Sequence, residues 1–252
     1  MSRYEFTLNP YSGCGFGCEY CYAKFFAPSA EHQETWGRWI FVKANAVDLI
    51  IEACRSGTLK SGDKVYMSSV TDPYQPIEHK LGLTRSILQA ILACGVQPRL
   101  TIQTRSPLVV HDIDLFRQFE RIRVNVTVTT DSEEVRLRYE PHCPSISVRL
   151  KALATLAAAG VPVGVSISPM LPIRNIEAFG ARLAELNADE YVTQYMKAGR
   201  SRFAGGTSIE AIGKANEDGW GVSEYQAART TLTRILGKKR PLLEGAEGYA
   251  PA

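Results

Sequence analysis

Short apolar or β-branched runs alternate along this chain with longer stretches whose apolar positions repeat at helical spacing. Residues 4–8, 64–69, 100–104, 123–129, 162–168 and 190–195 read as strands, because β-branched and aromatic side chains cluster there between turn-forming residues. Between them the periodicity predicts helices over 46–54, 84–94, 112–119, 147–159 and 176–186, two of them stopped by Cys94-Gly95 and Ala159-Gly160. Strict β-α alternation calls for parallel strands joined by right-handed crossovers. The expected fold is therefore α/β, a partial (β/α)6 TIM-like barrel of parallel strands.

In such barrels, reactive groups gather on the loops that leave the C-terminal ends of the strands. Polar signals sit after each of the first five strands: a cysteine loop, then Ser69-Val70-Thr71-Asp72-Pro73-Tyr74, Thr104-Arg105-Ser106, Thr129-Thr130-Asp131 and Ser168-Pro169-Met170. Five loops are expected to face one site. Beyond about residue 197 the alternation fades through 199–206 to a Trp220-Gly221 turn and a helix over 222–236. Residues 1–197 are thus assigned to the barrel and 198–252 to a short C-terminal helical cap of the same domain, with 244–252 expected as a loose tail.

The formal charge of +3 is mild, although Lys238-Lys239-Arg240 and the Arg121/Arg123 pair are locally basic. This balance does not fit a dedicated nucleic-acid binder, yet leaves a nucleic-acid substrate open. No apolar run approaches a membrane span, and no basic segment followed by an apolar core opens the chain. A cytoplasmic protein without a membrane partner is the expectation.

Chemistry concentrates in Asn9-Pro10-Tyr11-Ser12-Gly13-Cys14-Gly15-Phe16-Gly17-Cys18-Glu19-Tyr20-Cys21-Tyr22. Three cysteines packed this closely suit metal ligation better than disulfides. Three thiolates can hold three irons of a cubane cluster and leave the fourth open to a chelating molecule. A zinc site with His32 as the fourth ligand is an alternative. So is an electron-transfer cluster completed by Cys54, Cys94 or Cys143, although the first two fall late in helical patterns and the third in a polar loop, where small incidental residues are expected.

The spacing Cys-x3-Cys-x2-Cys followed by an aromatic residue resembles that of the radical S-adenosylmethionine superfamily, and in particular its spore photoproduct lyase-like, or DNA repair photolyase-like, group. The similarity runs to about residue 197. It is carried by Asn9-Pro10-Tyr11, Cys21-Tyr22-Ala23, the stretch from Ser69 to Glu78, Thr104-Arg105-Ser106, Thr129-Thr130-Asp131, Glu140-Pro141 with Pro144 and Arg149, and Pro169-Met170-Leu171-Pro172 with Asn175.

The resemblance implies a [4Fe-4S] cluster on Cys14, Cys18 and Cys21, S-adenosylmethionine on its open iron, and an electron donor such as flavodoxin or ferredoxin. It implies reductive cleavage of that cofactor to a 5′-deoxyadenosyl radical and hydrogen abstraction from a substrate, nucleic acid or smaller. It points to Ser69, Thr71 and Asp72 for the cofactor's ammonium, Asp72 foremost, and to Thr129, Thr130 and Ser168 for its carboxylate or ribose. Tyr20 flanks the last cysteine as a further cofactor contact. Tyr22 matches an aromatic position that takes part in hydrogen transfer or packs beneath the adenine. Arg105 and Arg149 could neutralise a carboxylate or phosphate. The lyase has a cysteine hydrogen donor where this chain has Ser69, and no cysteine lies between Cys54 and Cys94. The resemblance does not extend to that relay.

Overall fold

The computed structural model describes residues 3–199, 206–237 and 240–252. Lys238, Lys239 and most of the 199–206 stretch lie outside the described residues. In chain order the strands are β1 Phe6–Leu8, β2 Tyr11–Ser12, β3 Phe41–Val42, β4 Lys64–Met67, β5 Arg99–Thr104, β6 Arg121–Thr127, β7 Val163–Ile167, β8 Glu190–Thr193 and β9 Leu242–Glu244. The helices are α1 Ala30–Glu34, α2 Ala46–Arg55, α3 Glu78–Leu81, α4 Leu83–Ala93, α5 Ile113–Phe116, α6 Glu133–Tyr139, α7 Ile146–Ala158, α8 Ile176–Glu185, α9 Ile209–Glu217 and α10 Val222–Leu236.

Seven strands form one parallel sheet in the order β1-β4-β5-β6-β7-β8-β9, with β1 and β9 unpaired to each other. The expected partial barrel is present with one strand more than the sequence suggested. Along β6, Ile122, Val124 and Val126 are buried on the outer, helix-covered face, and each fully buried side chain of this size contributes roughly 1.5–3 kcal/mol. The alternate residues Arg123, Asn125 and Thr127 bond to groups inside the barrel. Gly164 of β7 makes room for one of them, since a Cβ there would lie 2.1 Å from Asn125 Oδ1.

Three local expectations change. The helix expected over 112–119 is a 3₁₀ turn over Pro107–Asp112, started by the Ser106 hydroxyl on Leu108 N–H, followed by the short α5. A cap on the Ala178 amide by Asn175 starts α8, and α10 packs against α8 where Gly180 leaves space for Ile235. Helices α6 and α9 were not anticipated.

The largest correction concerns 244–252, which is a strap across the barrel floor rather than a loose tail. After β9 pairs in parallel with β8, Tyr249 and Ala250 donate their N–H groups to Glu190 at 3.2 and 3.4 Å. Tyr4 donates to Ala250 O at 2.9 Å, and Arg99 Nε to Ala252 O at 2.6 Å. Ala252 N–H reaches Thr101 at 3.2 Å. The partners are polar side chains at the N-terminal ends of three different strands, a set that no local pattern announces.

Candidate functional site

The first cysteine loop folds as two glycine-dependent crossings. Gly17 and Gly37 both have positive φ, and a Cβ on Gly37 would lie 2.7 Å from Gly17 Cα. A Cβ on Gly13 would lie 2.5 Å from the Trp39 carbonyl oxygen. The loop is thereby pressed against residues 36–39, which leaves Cys14 and Cys18 buried and Cys21 half-buried. The loop therefore carries these cysteines inside the protein and not on its surface.

The loop after β4 clamps the cysteine loop from the other side. Asn9 Nδ2 donates to Ser69 Oγ at 3.1 Å and Asn9 Oδ1 accepts from Val70 N–H at 3.1 Å. Thr71 Oγ1 donates to Gly13 O at 2.6 Å, while Gly15 N–H donates to Gln75 Oε1 at 2.8 Å. Tyr11 donates to the Glu78 carboxylate. Two segments sixty residues apart thus act as one hydrogen-bonded unit.

Above that unit, at the C-terminal end of the sheet, lies a cavity of about 690 Å³. Its wall includes Cys14, Cys21, Tyr22, Ser69, Thr71, Asp72 and Ser168, all anticipated from the sequence. Tyr22 donates its hydroxyl to Ser69 O. Burial raises the Asp72 carboxyl above its usual range, although Thr104 Oγ1 at 2.7 Å and the amides of Tyr74 and Arg105 at 2.9 Å support the ionised form. Asp72 therefore both holds its own turn and faces the cavity.

Tyr20, Thr129 and Thr130 are not part of this wall. Tyr20 and Thr129 turn to Glu140 Oε1, Thr129 at 3.0 Å, and Thr130 donates to Pro172 O at 2.6 Å. Their hydroxyls satisfy buried acceptors behind the site, and four of the five expected loops face the cavity. From β6 the cavity receives Thr127 instead.

Sequence reasoning passed over several wall residues. Ser68 has φ +78°, is buried, and its Oγ has no hydrogen-bond partner, a strained residue of the kind that gathers at sites. Arg105, which the sequence did offer as a partner for a carboxylate or phosphate, also lines the wall, and its Nε is buried and unpartnered. Gln103 and Gln194 were unmarked in the sequence. Tyr249 arrives from the strap with φ +55°, its hydroxyl 2.7 Å from Ser166 Oγ. Burial raises its phenol above the usual value.

The thiols differ from one another. Burial raises Cys14 well above its ordinary range and Cys21 to about 11. Cys18 is lowered, first by its contact with Cys143, whose Sγ lies 3.5 Å away, and then by Arg105, whose Nη1 lies 2.9 Å from Cys18 Sγ. Cys143, expected as an incidental loop residue, is buried against the cysteine loop at Cys18 and Phe16.

Residues 8–186 match the Radical SAM superfamily. The chain belongs to that superfamily. Among curated proteins, it is 39% identical over 168 residues to an uncharacterised protein of Methanocaldococcus jannaschii, covering 67% of this chain and 61% of that one. The chain thus spans less than two thirds of that relative's length. Among solved structures, a cysteine-to-serine mutant of spore photoproduct lyase superposes with a TM-score of 0.62 at 18% identity, covering 94% of this chain and 75% of the lyase. A double mutant of the lyase with bound AdoMet and dinucleoside spore photoproduct gives 0.56 at 21% identity, over 75% and 55%. At these identities the likeness is one of fold.

The radical SAM donor set fits the cluster the superfamily implies. Cys14 and Cys21 edge the cavity, and Cys18 lies behind them on the same short loop. A zinc ion with bonds of about 2.3 Å would draw its ligand atoms within about 4 Å of one another. Among the described residues, no three His, Cys, Asp or Glu side chains converge in that way. The His32 ring is tied instead to Ser29 at 2.7 Å and meets Trp39 edge-on. Cys14, Cys18 and Cys21 instead share one short loop and lie within electrostatic reach of one another, a donor set compatible with the cluster of the superfamily. The unpartnered Ser68 Oγ and Arg105 Nε supply the polar groups that an amino-acid moiety requires when it leaves water.

Proposed function

We propose that this chain is a radical S-adenosylmethionine enzyme that removes hydrogen from a substrate seated in the barrel mouth. What carries the reading is that Cys14 and Cys21 share one cavity with Ser68, Ser69, Thr71, Asp72 and Arg105. Cysteines alone would serve a structural site equally well; cysteines beside paired anionic and cationic groups suit a zwitterionic ligand.

Cys14, Cys18 and Cys21 would hold three irons of a [4Fe-4S] cluster. When bound, the cluster and S-adenosylmethionine supply one-electron cleavage of a sulfonium and a primary carbon radical able to take hydrogen. Asp72, with Ser68 and Thr71 beside it, accepts N–H bonds from an ammonium. Arg105 Nε donates to a carboxylate, a role for which its permanent charge and unpartnered donor suit it. Ser168 and Gln194 line the opposite wall. Tyr22, held by Ser69 O, closes the wall beside the last ligand, and Tyr66, Thr127, Ser166 and Tyr249 form the floor. These walls bound the space from which water must be kept if a carbon radical is to reach its substrate before any other hydrogen source.

The rival reading, an electron carrier with a fourth thiolate, would recruit Cys143. Its Sγ lies 3.5 Å from Cys18 Sγ and points to Phe16 O at 3.9 Å, a thiol-to-thiol contact that leaves no room for a separate iron on each sulfur. That favours the enzyme. Anaerobic reconstitution decides between them: about four irons per chain, then 5′-deoxyadenosine on adding S-adenosylmethionine and a reductant, is the expected outcome. Spectra unchanged by the added compound, with no nucleoside released, would reject the proposal. An external one-electron donor of the flavodoxin or ferredoxin type completes it, and nucleic acid and small molecules both stay within the proposed substrate range.

A further inference from the structure

Cys18 differs from the other two cysteines in what touches its sulfur. Arg105 Nη1 lies 2.9 Å from Cys18 Sγ, and the Cys143 thiol lies 3.5 Å from it. Both contacts are inside the protein: Cys18 and Cys143 are 2% and 6% exposed. The guanidinium is held in place by its neighbours, since Nη2 reaches Tyr20 Oη at 3.5 Å and the Tyr20 hydroxyl is itself anchored on Glu140. The Arg105 backbone N–H is fixed on Asp72 at 2.9 Å. Arg105 therefore bridges two regions, with Nη1 on the Cys18 sulfur, Nη2 on Tyr20 and Nε buried without a partner.

We propose that Arg105 and Cys143 set the reduction potential of the cluster through hydrogen bonds to Cys18 Sγ. This rests on the cluster reading above. The single electron delivered by an external low-potential donor adds negative charge beside that sulfur, while the Arg105 charge stays fixed at every accessible pH. A fixed cation and an S–H donor at the ligand sulfur stabilise the reduced state more than the oxidised one, because hydrogen bonds to cluster sulfurs strengthen as the sulfurs gain charge. Burial keeps water from supplying equivalent donors if either residue is lost. In this role both act through the Cys18 sulfur, and neither is an iron ligand.

The test is an anaerobic redox titration of the reconstituted full chain, followed by electron paramagnetic resonance, with iron and sulfide measured on the same samples. In R105M the midpoint is expected to fall, so that at the wild-type midpoint the reduced-to-oxidised ratio drops about tenfold. R105K, which keeps the charge but not the fork, is expected to fall less. C143A is expected to fall slightly, while C143S, which retains a hydroxyl donor, stays close to wild type. Should R105M fail to retain iron, R105K and C143A carry the test: midpoints below wild type support the inference, and two wild-type midpoints overturn it. A drop in C143A to about three irons per chain would make Cys143 a ligand and also overturn it. Absence of a cubane from the wild-type chain would instead sink the functional reading, so the two failures are distinguishable.

Discussion

Arg149 Nη2 lies 2.5 Å from Glu140 Oε2, and both side chains are fully buried. The contact is ionic without the alignment of a hydrogen bond, while Arg149 Nε and Nη1 donate to Pro144 O and Thr127 O at 2.9 and 3.3 Å. The other carboxylate oxygen accepts from Tyr20 and Thr129. One buried pair thus joins β6 and α7 to the cysteine loop, and Arg149 is engaged in this framework instead of facing the cavity.

Removing one partner strands the other charge in the core. R149M is expected to cost about 3–5 kcal/mol, read as a lowered denaturant midpoint in the apo protein. A midpoint within experimental error of wild type would show that the pair is not a structural link.

Burial opposes ionisation of Glu140, but Arg149 and Arg105 outweigh it and hold the carboxyl at about 2, below its ordinary 4.5. A depressed carboxyl contributes stability that is fully present above its unfolded value and is lost as pH falls through the folded one. Stability should therefore decline between about pH 4.5 and 2 through this group. E140Q should flatten that part of the acid limb while lowering stability at neutral pH. Identical acid limbs in the two proteins would count against it.

Cys18→Ala removes a buried sulfur, proposed above as an iron ligand, without changing the backbone. Iron binding should be lost, and thermal stability should drop because Cys18 is only 2% exposed, yet the far-ultraviolet dichroism should remain that of the folded chain. Retained 5′-deoxyadenosine formation would show the ligand assignment to be wrong.

Gly17 and Gly62 both have positive φ, but only Gly17 has a close neighbour, Gly37 Cα at 3.1 Å from a built Cβ. G17A should therefore destabilise more than G62A by roughly 1–3 kcal/mol and should weaken iron retention. Equal losses in the two variants would mean that the crossing of the two loops is not tight.

The strap offers a separate check. Glu190 binds the Tyr249 and Ala250 amides and pairs with Arg123 at 3.0 Å. E190Q should speed proteolysis within 245–252, and Y249F should slow substrate turnover while leaving iron content unchanged. Unaltered cleavage rates and turnover would remove the strap from the proposed site.

The chain's own letters determined the β-α order, the parallel sheet, the cysteine loop and the loop after β4, because each depends on periodicity or on residues within about ten positions of one another. The turn at Thr71-Asp72-Pro73 and the glycines around the cysteines were legible for the same reason. Only the tertiary structure decided that Cys143 meets Cys18, that Thr129 and Tyr20 share Glu140, and that Tyr249 enters the barrel. Those contacts join segments from 11 to 125 residues apart in sequence. They are fixed by which side of a strand or loop faces inward and by where buried polar groups find partners, and a local pattern records neither.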